Sequence, residues 1–487
     1  MEKKEVFSSR WGLILTALGM AVGTGNIWRF PRIIATNHGG SFLIPWVIFL
    51  FLWSIPLLVL EFAMGKESRK GTIGAFGTIM GRGFGWMGGY VGFCATAITF
   101  YYSVVMGWCL KYLVASILGE LNFSDGLPYW NHFIGTKYQP LIFHFFSMLI
   151  GSYIIYRGVV RGIEKVNKYL IPSLFILLVI AAIRSITLPG ASSGLNFMFK
   201  VKLSDLLDYK IWLQGLTQSA WSTGAGWGLL LTYAVYVKKK EDIVLNSIIT
   251  GFGNNSASLL AGISVVCIVF ALRPAEAMDL IQQTGPANTG LSFIWFPALF
   301  NQMVFGRIFQ VIFFLALSFA ALSSLIAQIE LATRNVMDIG LSRKNSIMIV
   351  GISAFIFGIP SALYIRFFEN QDWVWGLGLL VSGMFIALAA IKYGVVKFRD
   401  NLVNTIGNEV TVGKWFDFIV KFLIPLEFLF LIVWWFSVAI SGNPRTWWNP
   451  FFPGSVGTCV LQWGLIFIIF ILLNNWLMKR NFNFKVE

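Results

Sequence analysis

Two short stretches of this sequence place clusters of glycine inside long apolar segments. The first runs from Gly19 to Asn26 and the second from Ala220 to Gly228. Each glycine lowers helix propensity by about 1 kcal/mol relative to alanine, so each stretch predicts a helix that is interrupted near its middle. An interruption frees carbonyl oxygens, which suit Na⁺, and opens a helix N-terminus, which suits a carboxylate. One such cluster is also typical of closely packed helices, but a pair points to a binding site.

Polar side chains recur in the apolar segments around the two interruptions. They carry neutral amide and hydroxyl oxygens, and they are Asn26, Ser222, Thr223, Asn254, Asn255, Ser323 and Ser324. Taken singly, a buried Asn or Ser in a membrane helix often only joins two helices. Together with the two interruptions, we interpret these side chains as a cage for a cation.

The composition indicates which elements must position these residues. Mean hydropathy is +0.72 and only 12% of the residues are charged, whereas about a quarter are charged in soluble domains. Helices of about 20 apolar residues span a bilayer. The pattern therefore predicts an all-α integral membrane protein with twelve transmembrane helices, near residues 11–36, 40–65, 84–117, 140–157, 166–184, 209–237, 242–271, 306–338, 345–362, 372–396, 415–440 and 456–478.

The net charge of +15 is unevenly distributed between alternate loops. Lys and Arg are concentrated at both ends of the chain and in every second loop, as in residues 66–82, 157–168 and 238–240. Short basic loops stay in the cytoplasm, so we expect a multi-pass cell-membrane protein with cytoplasmic N- and C-termini. The lipid bilayer is its expected surroundings, and the basic charge does not indicate a nucleic-acid partner.

Neither a disulfide framework nor an enzyme active site is predicted. The four cysteines, Cys94, Cys109, Cys267 and Cys459, fall within or at the ends of spans, and the three histidines are scattered. No paired Cys or His spacing and no converging nucleophile and base are visible. The 272–305 segment carries short apolar stretches around Gly and Pro, which fits either an interfacial loop or an extracellular lid.

The first interrupted segment also carries a family resemblance. Gly12–Pro31, followed by Gly39–Phe42, resembles the signature of the neurotransmitter:sodium symporter family. Further motifs extend the resemblance over essentially the whole chain, at Glu61–Gly65, Tyr101–Tyr102, 157–168, Thr232–Tyr236 and Ala320–Ser324. The chain is identified as a prokaryotic member.

The resemblance implies an architecture for the twelve helices. Residues 1–487 would form one transporter domain built on two inverted five-helix repeats, 9–184 and 209–396. The first and sixth helices would be the broken ones, and two C-terminal helices would follow within 415–478. The breaks would then meet at the middle of the bilayer, where such transporters bind their substrate and ions.

The resemblance also implies two sodium sites. The first would be completed by the substrate carboxylate and formed by Ala21, Asn26, Ser222 and Asn254. The second would be formed by the carbonyls and hydroxyls of Gly19, Val22, Ala320, Ser323 and Ser324. Ser222 and Ser323 stand where threonine is frequent in the family, and the hydroxyl is kept.

The substrate site that the resemblance implies lies between the sodium sites. Monoamine carriers have an Asp where this chain has Gly23, and a glycine leaves room for a carboxylate of the substrate itself. We therefore expect a small, neutral amino acid, with Gln328 able to contact a polar group. The implied contacts are Ala21, Gly23, Thr24, Gly25, Ile98, Tyr102, Trp221, Ser222, Gly224, Trp227 and Gln328.

Two gates follow from the same resemblance. The outer gate would pair Arg29 with Asp372, or with Glu369 as a second candidate, above the rings of Tyr102 and Trp221. The inner gate would be formed by Lys4, Phe7, Tyr236 and Asp338. Lys4 and Phe7 replace an Arg and a Trp of the family, and Lys lacks the bidentate fork of Arg. We therefore expect a weaker inner latch.

Chloride binding and three intramembrane carboxyl groups are left open by the sequence. A chloride site would use Trp46, Gln218, Ser222 and Ser258, with Trp46 in place of the family's Tyr. Ionisable residues inside a membrane are candidates for function. Glu61 and Glu330 fit either structural hydrogen bonding or proton coupling, and Glu427 has no assigned role.

These features predict a symporter that uses Na⁺ influx to drive uptake of an amino acid by alternating access. A receptor that keeps the fold and binds substrate without significant flux is the main alternative. A channel and a membrane enzyme are further alternatives, and the sequence leaves the oligomeric state open.

Overall fold

The computed structural model describes residues 5–405 and 407–483, and the regular elements in these ranges are all helical. Three shorter helices, Leu127–Gly135, Ala191–Phe199 and Ala277–Gln282, lie in the connections. The principal helices are α1 (Arg10–Ala21), α2 (Thr24–Thr36), α3 (Gly39–Ser68), α4 (Thr72–Met80), α5 (Arg82–Leu118), α6 (Tyr138–Tyr156), α7 (Val159–Ile186), α8 (Tyr209–Ser222), α9 (Leu229–Ala234), α10 (Ile243–Leu272), α11 (Leu291–Phe300), α12 (Gly306–Asp338), α13 (Arg343–Leu363), α14 (Ile365–Tyr393), α15 (Lys414–Gly442) and α16 (Val456–Phe482).

The number of spans differs from the predicted twelve. Within the described residues, ten helices are long and apolar enough to cross a membrane, and α1 with α2 makes an eleventh if that bent pair is one span. The predicted sixth span, 209–237, is divided into α8 and α9, and neither part is long enough by itself. The predicted span that is not found as one long helix is therefore the one that contains the second predicted interruption.

The first interruption bends the chain by 51° between α1 and α2. The Ser9 side chain caps α1 by accepting a hydrogen bond from Gly12 N at 3.0 Å. Val22 and Gly23 then adopt extended backbone, and Gly23 N donates to the Asn26 side-chain oxygen at 2.9 Å. Because Asn26 satisfies one of the N–H groups that a helix start leaves free, the polar residue of the motif stabilises the break.

The second interruption depends on glycine more directly. Between α8 and α9, Gly224, Gly226 and Gly228 have φ values of 70°, 88° and 78°. This left-handed region is costly for residues that carry a Cβ atom. The glycine cluster of the sequence therefore forms an unwound segment that few other sequences would form.

Packing places both interruptions inside the bundle. Helix α1 contacts α7, α10 and α12, while α12 also packs along α5. In the most apolar window of α5 and of α14, 72% of the residues are buried, against 22% in α15 and α16. The two C-terminal helices are therefore peripheral to the bundle that surrounds the breaks.

Candidate binding site at the helix breaks

The first cluster of polar groups joins α2, α8 and α10. Asn26 Nδ2 donates to Asn254 Oδ1 at 2.8 Å and to Ser258 Oγ at 2.7 Å, and lies 3.3 Å from Ser222 Oγ. Asn26 and Asn254 are almost completely buried, at 2% and 0% exposure. Three helices that are far apart in the sequence thus meet at one asparagine of the first motif.

Acceptor oxygens face one another in this cluster. Asn254 Oδ1 lies 3.0 Å from the carbonyl oxygen of Ala21 and 3.0 Å from that of Ser222. Rotating the Asn254 amide would relieve these contacts, but its nitrogen would then lie 2.8 Å from Asn26 Nδ2, which is also a donor. Neither orientation satisfies every neighbour, whereas a cation among the three oxygens would satisfy them all.

A second group of oxygens joins α1 to α12. Ser324 Oγ lies 3.5 Å from the carbonyl oxygens of Gly19 and Met20 and 3.4 Å from that of Val22. One residue earlier, Ser323 Oγ donates to the carbonyl oxygen of Ala320 at 3.1 Å. The structure brings Ser324 beside the predicted carbonyls of Gly19 and Val22, and it adds the Met20 carbonyl, which the sequence did not single out; the Ser323–Ala320 hydrogen bond lies within α12.

The start of α2 forms the candidate carboxylate site. The Tyr102 hydroxyl lies 3.4 Å from both Thr24 N and Thr24 Oγ1. A Cβ atom on Gly23 would lie 3.2 Å from Ser324 Oγ and from the Tyr102 hydroxyl, whereas one on Gly25 would meet no atom within 4 Å. There is therefore little room beside Gly23, whereas there is open space beside Gly25. That space lies at the N-terminus of α2, which favours an anion.

Polar atoms without partners mark the predicted side-chain pocket. Gln328 Oε1, Trp221 Nε1 and Trp227 Nε1 are buried and have no hydrogen-bond partner among the described residues. Ile98 is 2% exposed, and a Cβ on Gly224 would first meet Met20 Cε at 3.6 Å. Buried polar groups are normally paired, so these three predicted contacts could each pair with a hydrogen-bonding group of a ligand.

Beyond the break, Arg29 stacks on an aromatic column instead of pairing with Asp372. The Arg29 guanidinium carbon lies 3.8 Å above the Trp221 ring, and Trp221 stacks on Trp435 of α15 at 5.4 Å between ring centroids. Among the described residues, no ion pair within 4.0 Å joins Arg29 to exposed Asp372. We call Arg29, Trp221 and Trp435 the aromatic closure. The predicted pairing with Asp372 stays a prediction for another conformation.

The 272–305 segment lies against the same end of the site. Arg32 donates to Asn288 Oδ1 at 3.0 Å, and the backbone N–H of Ala287 donates to the Glu369 carboxylate at 3.0 Å. The turn thus connects α2 to α14, next to the residues predicted for the outer gate. These contacts attach the segment to the bundle at this end, and the lid stays a prediction.

At the opposite end of the site, charged residues form a buried network. Tyr236 donates to Glu330 at 2.6 Å, and Arg343 holds the same carboxylate through two nitrogens, at 3.0 and 2.7 Å. The Glu330 side chain is fully buried and that of Arg343 is 15% exposed. We call Tyr236, Glu330 and Arg343 the ionic closure. Arg343 was not predicted from the sequence.

The other predicted inner-gate residues lie beside the ionic closure. Phe7 is buried, and its N–H donates to the carbonyl of Tyr236 at 3.0 Å. Asp338 pairs with Arg334 at 2.7 Å. Lys4, the predicted partner of Asp338, lies outside the described residues.

The N-terminal segment is also attached to α7. The Glu164 carboxylate accepts hydrogen bonds from Ser8 N at 2.8 Å and from the Ser8 and Ser9 hydroxyls, and its side chain is only 1% exposed. Glu164 belongs to a π-helical turn, Val159–Glu164, which follows Gly158 at a φ of 87°. This attachment was not predicted from the sequence.

Glu61 binds the second interruption. Its two carboxylate oxygens accept hydrogen bonds from Gly226 N at 2.6 Å, Leu230 N at 3.1 Å and Leu231 N at 3.2 Å. Those N–H groups belong to the unwound segment and the start of α9, where a negative group is favoured. Of the two roles left open, structural hydrogen bonding fits this arrangement, with Glu61 as acceptor.

The residues predicted for chloride divide into two groups. Ser222 and Ser258 accept hydrogen bonds from the Asn26 and Asn254 amides, as part of the first cluster. Trp46 Nε1 and Gln218 Oε1 are buried without a partner among the described residues. The Trp46 N–H is thus a buried donor without a partner, and the chloride site stays a prediction.

Glu427 and the four cysteines have no assigned role in the site. Glu427 is 7% exposed, and its Oε2 has no partner among the described residues. The four cysteines are free and buried. Within the described ranges, no three His, Cys, Asp or Glu side chains are grouped as transition-metal ligands.

Comparison with known proteins places this site in a transporter. The model of the sodium:neurotransmitter symporter family matches residues 4–139 and 132–482. A sodium-dependent transporter of Methanocaldococcus jannaschii is 31% identical over 87% of this chain and 89% of its own length. The sodium-dependent transporter YhdH of Bacillus subtilis is 30% identical over 89% of this chain and 98% of its own length. The crystal structure of MhsT in complex with L-phenylalanine matches with a TM-score of 0.77 and 29% identity, over 88% of this chain and 99% of MhsT. These relatives are transporters and not enzymes.

Proposed function

The chain belongs to the sodium:neurotransmitter symporter family, and from that premise we propose that it couples Na⁺ influx to uptake of a small, neutral amino acid by alternating access. Two Na⁺ ions would bind, one at each oxygen group of the breaks. Sodium-coupled transport is the common property of the family, and the substrate class and the sites are the parts proposed for this chain.

The observation that carries the proposal is the contact between acceptor oxygens at Asn254. Asn254 Oδ1 accepts one hydrogen bond from Asn26 Nδ2 and also lies 3.0 Å from two carbonyl oxygens, those of Ala21 in α1 and Ser222 in α8. Because oxygens with partial negative charge repel one another at this distance, the arrangement favours a bound cation between them. Neutral ligands from both interruptions would make ion binding sensitive to how the two broken helices are arranged.

The substrate class is inferred from the start of α2. A carboxylate beside Gly25 would lie at the N-terminal end of α2, next to the Tyr102 hydroxyl and close to the first cation. Gly23 carries no acidic side chain to pair with an amine that lacks a carboxylate, and a Cβ there would lie within 3.2 Å of the Ser324 and Tyr102 hydroxyls. L-phenylalanine, the ligand in the MhsT structure, carries an amine and a carboxylate. So does GABA, after which a relative from Bos taurus that is 25% identical to this chain is named.

The proposed topology completes the span count. Helices α8 and α9, with the unwound segment between them, would form one broken span, as α1 and α2 do. Twelve spans would then form two inverted repeats, followed by α15 and α16, with both termini in the cytoplasm. The aromatic closure would face the outside and the ionic closure the cytoplasm.

Transport by the purified protein in liposomes tests this proposal. An inward Na⁺ gradient should drive accumulation of at least one neutral amino acid, and replacing Na⁺ by K⁺ should abolish it. Asn254→Ala should lose uptake, while Ser256→Ala, an exposed position on the same helix, should retain it. Substrate binding with no flux under a Na⁺ gradient would contradict symport and favour a receptor, and uptake restricted to amines without a carboxylate would contradict the substrate class.

We further propose that Trp46, Gln218, Ser222 and Ser258 bind chloride near the first cation. The unpaired Trp46 N–H is a suitable anion donor, and Ser258 supplies a hydroxyl where chloride-independent members of the family carry an acid. Uptake should fall when chloride is replaced by gluconate. Equal uptake in both salts would contradict the chloride proposal without affecting the Na⁺ proposal.

A further inference from the structure

An elongated apolar groove lies on the bundle away from the helix breaks. It has a volume of about 250 Å³ and lies between α4, α5, α12, α13 and α16. On α5 its wall is a single stripe, Gly89, Phe93, Thr96 and Phe100. At 1.5 Å per residue this stripe is about 16 Å long, which is the length of roughly a dozen methylene groups in an extended chain.

One wall of the groove carries an amide with a free donor. Asn335 Oδ1 accepts hydrogen bonds from Thr72 Oγ1 at 3.1 Å and from Ile73 N at 3.4 Å. Asn335 Nδ2 donates to no acceptor among the described residues, although Asn335 lines the groove. A mostly apolar groove, lined also by the hydroxyl residues Thr96 and Ser353, therefore presents an amide donor for a carbonyl oxygen.

Two cations lie at one end of the groove. Lys70 Nζ is 3.6 Å and Arg82 Cζ is 4.9 Å from the centroid of the same ring, Phe482. That ring packs against Ile73 and Leu477, which line the groove. Within residues 5–405 and 407–483, neither cation has a carboxylate within 4.0 Å.

The two cations also affect each other. Partial burial lowers the pKa of the Lys70 ammonium from its usual value; the Asp338 carboxylate opposes this shift, and the Arg334 and Arg82 guanidinium groups add to it. Lys70 donates to the backbone carbonyl of Asn481, which fixes its position. A bound anion at this end would relieve the repulsion between the cations.

We propose that this groove binds one anionic phospholipid, with its phosphate at Lys70 and Arg82, an ester carbonyl at Asn335 and one acyl chain along the stripe of α5. The order of chemical groups along the groove matches the order in a phospholipid. Basic pockets at the ends of membrane helices bind anionic lipid headgroups. The outer wall includes Ile349, which is 42% exposed and would face the bilayer.

Lipid binding to the purified, delipidated protein tests the proposal. Phosphatidylglycerol and phosphatidylcholine with identical acyl chains would be titrated, and bound lipid counted by native mass spectrometry. Each Lys or Arg near an anionic surface contributes about a factor of five, so one site should prefer phosphatidylglycerol by roughly thirtyfold. Equal affinity for the two lipids would overturn the proposal.

Substitutions locate the site. The double variant Lys70→Gln, Arg82→Gln should lose the preference, whereas Lys70→Arg, Arg82→Lys should keep it because both charges remain. Lys414→Gln, Lys421→Gln is the matched control, since it removes two cations from α15 and should leave the preference unchanged. A preference that survives the first double variant would overturn the proposal.

Larger side chains on two walls of the groove test whether an acyl chain lies in it. Thr96→Phe on α5 and Ser353→Phe on α13 should each reduce binding of phosphatidylglycerol about tenfold or more, in protein that retains the wild-type elution volume. If both variants instead convert a dimer to a monomer and leave lipid binding unchanged, the groove holds a second copy of the chain, and the lipid proposal is wrong. Loss of lipid binding without loss of assembly is the expected result.

Discussion

The aromatic closure and the ionic closure lie at opposite ends of the same site and differ in chemistry. In the aromatic closure, a guanidinium rests on an indole, and that indole rests on another. In the ionic closure, Glu330 is fully buried and is held by Arg343 and Tyr236 through three hydrogen bonds. Stacked rings can slide over each other with little loss of contact, whereas a buried ion pair loses most of its energy when it separates.

This difference predicts that the two ends open with unequal difficulty. Separation of the ionic closure would leave a carboxylate and a guanidinium without partners unless water enters at the same time. Separation of the aromatic closure would leave only apolar rings and a cation that water solvates well. We therefore expect the end with the aromatic closure to open more readily when no ligand is bound.

Removing Glu330 should have the largest effect. Glu330→Ala leaves the Arg343 charge buried without its partner, which costs about 3–5 kcal/mol. The expected result is a marked fall in the thermal unfolding temperature of the detergent-purified protein. Glu409→Ala is the control, because its ion pair with Arg10 is exposed and should contribute no more than about 1 kcal/mol. Similar shifts for the two variants would contradict the distinction between the closures.

Ser8→Ala tests the attachment of the N-terminal segment to Glu164. The variant removes one hydroxyl hydrogen bond to a buried carboxylate, which contributes about 1.5–3 kcal/mol. Accessibility of the site from the cytoplasmic side should increase by an order of magnitude or more, as measured by modification of a cysteine introduced at Ile98 in a cysteine-free background. Ser256→Ala should not change the rate. An unchanged rate for Ser8→Ala would show that this attachment does not hold the inner end shut.

Trp221→Leu tests the cation–ring contact. A desolvated cation–π contact contributes about 2 kcal/mol, so loss of the ring should raise the rate of modification at Ile98→Cys from the extracellular side by up to about thirtyfold. Trp221→Phe should raise it less, because a ring remains beneath Arg29. Trp448→Leu, at a ring that is 61% exposed, is the control. Equal rates for the Leu and Phe variants would argue against the contact.

Trp435→Leu should have the smallest effect of the series. Trp435 stacks on Trp221, and it is the Trp221 ring that the Arg29 guanidinium contacts. An aromatic pair contributes about 0.5–1.5 kcal/mol beyond its buried area, so the same labelling rate should rise only a few-fold. Trp435→Phe should restore most of the closure. A larger effect than that of Trp221→Leu would mean that Trp435 acts through α15 and not through the stack.

Several features of the site could be read from the sequence because they are local. Gly23 and Asn26 are three residues apart, so the side chain that caps the start of α2 belongs to the same motif as the break. The glycines at 224, 226 and 228 predict an unwound segment for the same reason. The family followed from these motifs, and the match of the family model confirms it.

Other features could not be read because their partners are distant in the chain. Arg343 lies 13 residues from Glu330, across a turn between two helices, and its sequence neighbours give no sign of a buried pair. Trp435 is one of 20 tryptophans, and only packing distinguishes the one that supports Trp221. The sequence also suggested Asp372 as the partner of Arg29, but in this conformation the guanidinium lies on the ring.

Taken by itself, the sequence determined where the helices must break and which oxygens lie beside the breaks, since glycine content and hydropathy act over a few residues. Only the tertiary structure decided which oxygens face one another, what lies on each side of them, and which carboxylate caps the second break. Those outcomes depend on helices up to several hundred residues apart, and their packing is set by the summed contacts of the whole bundle and not by any one motif.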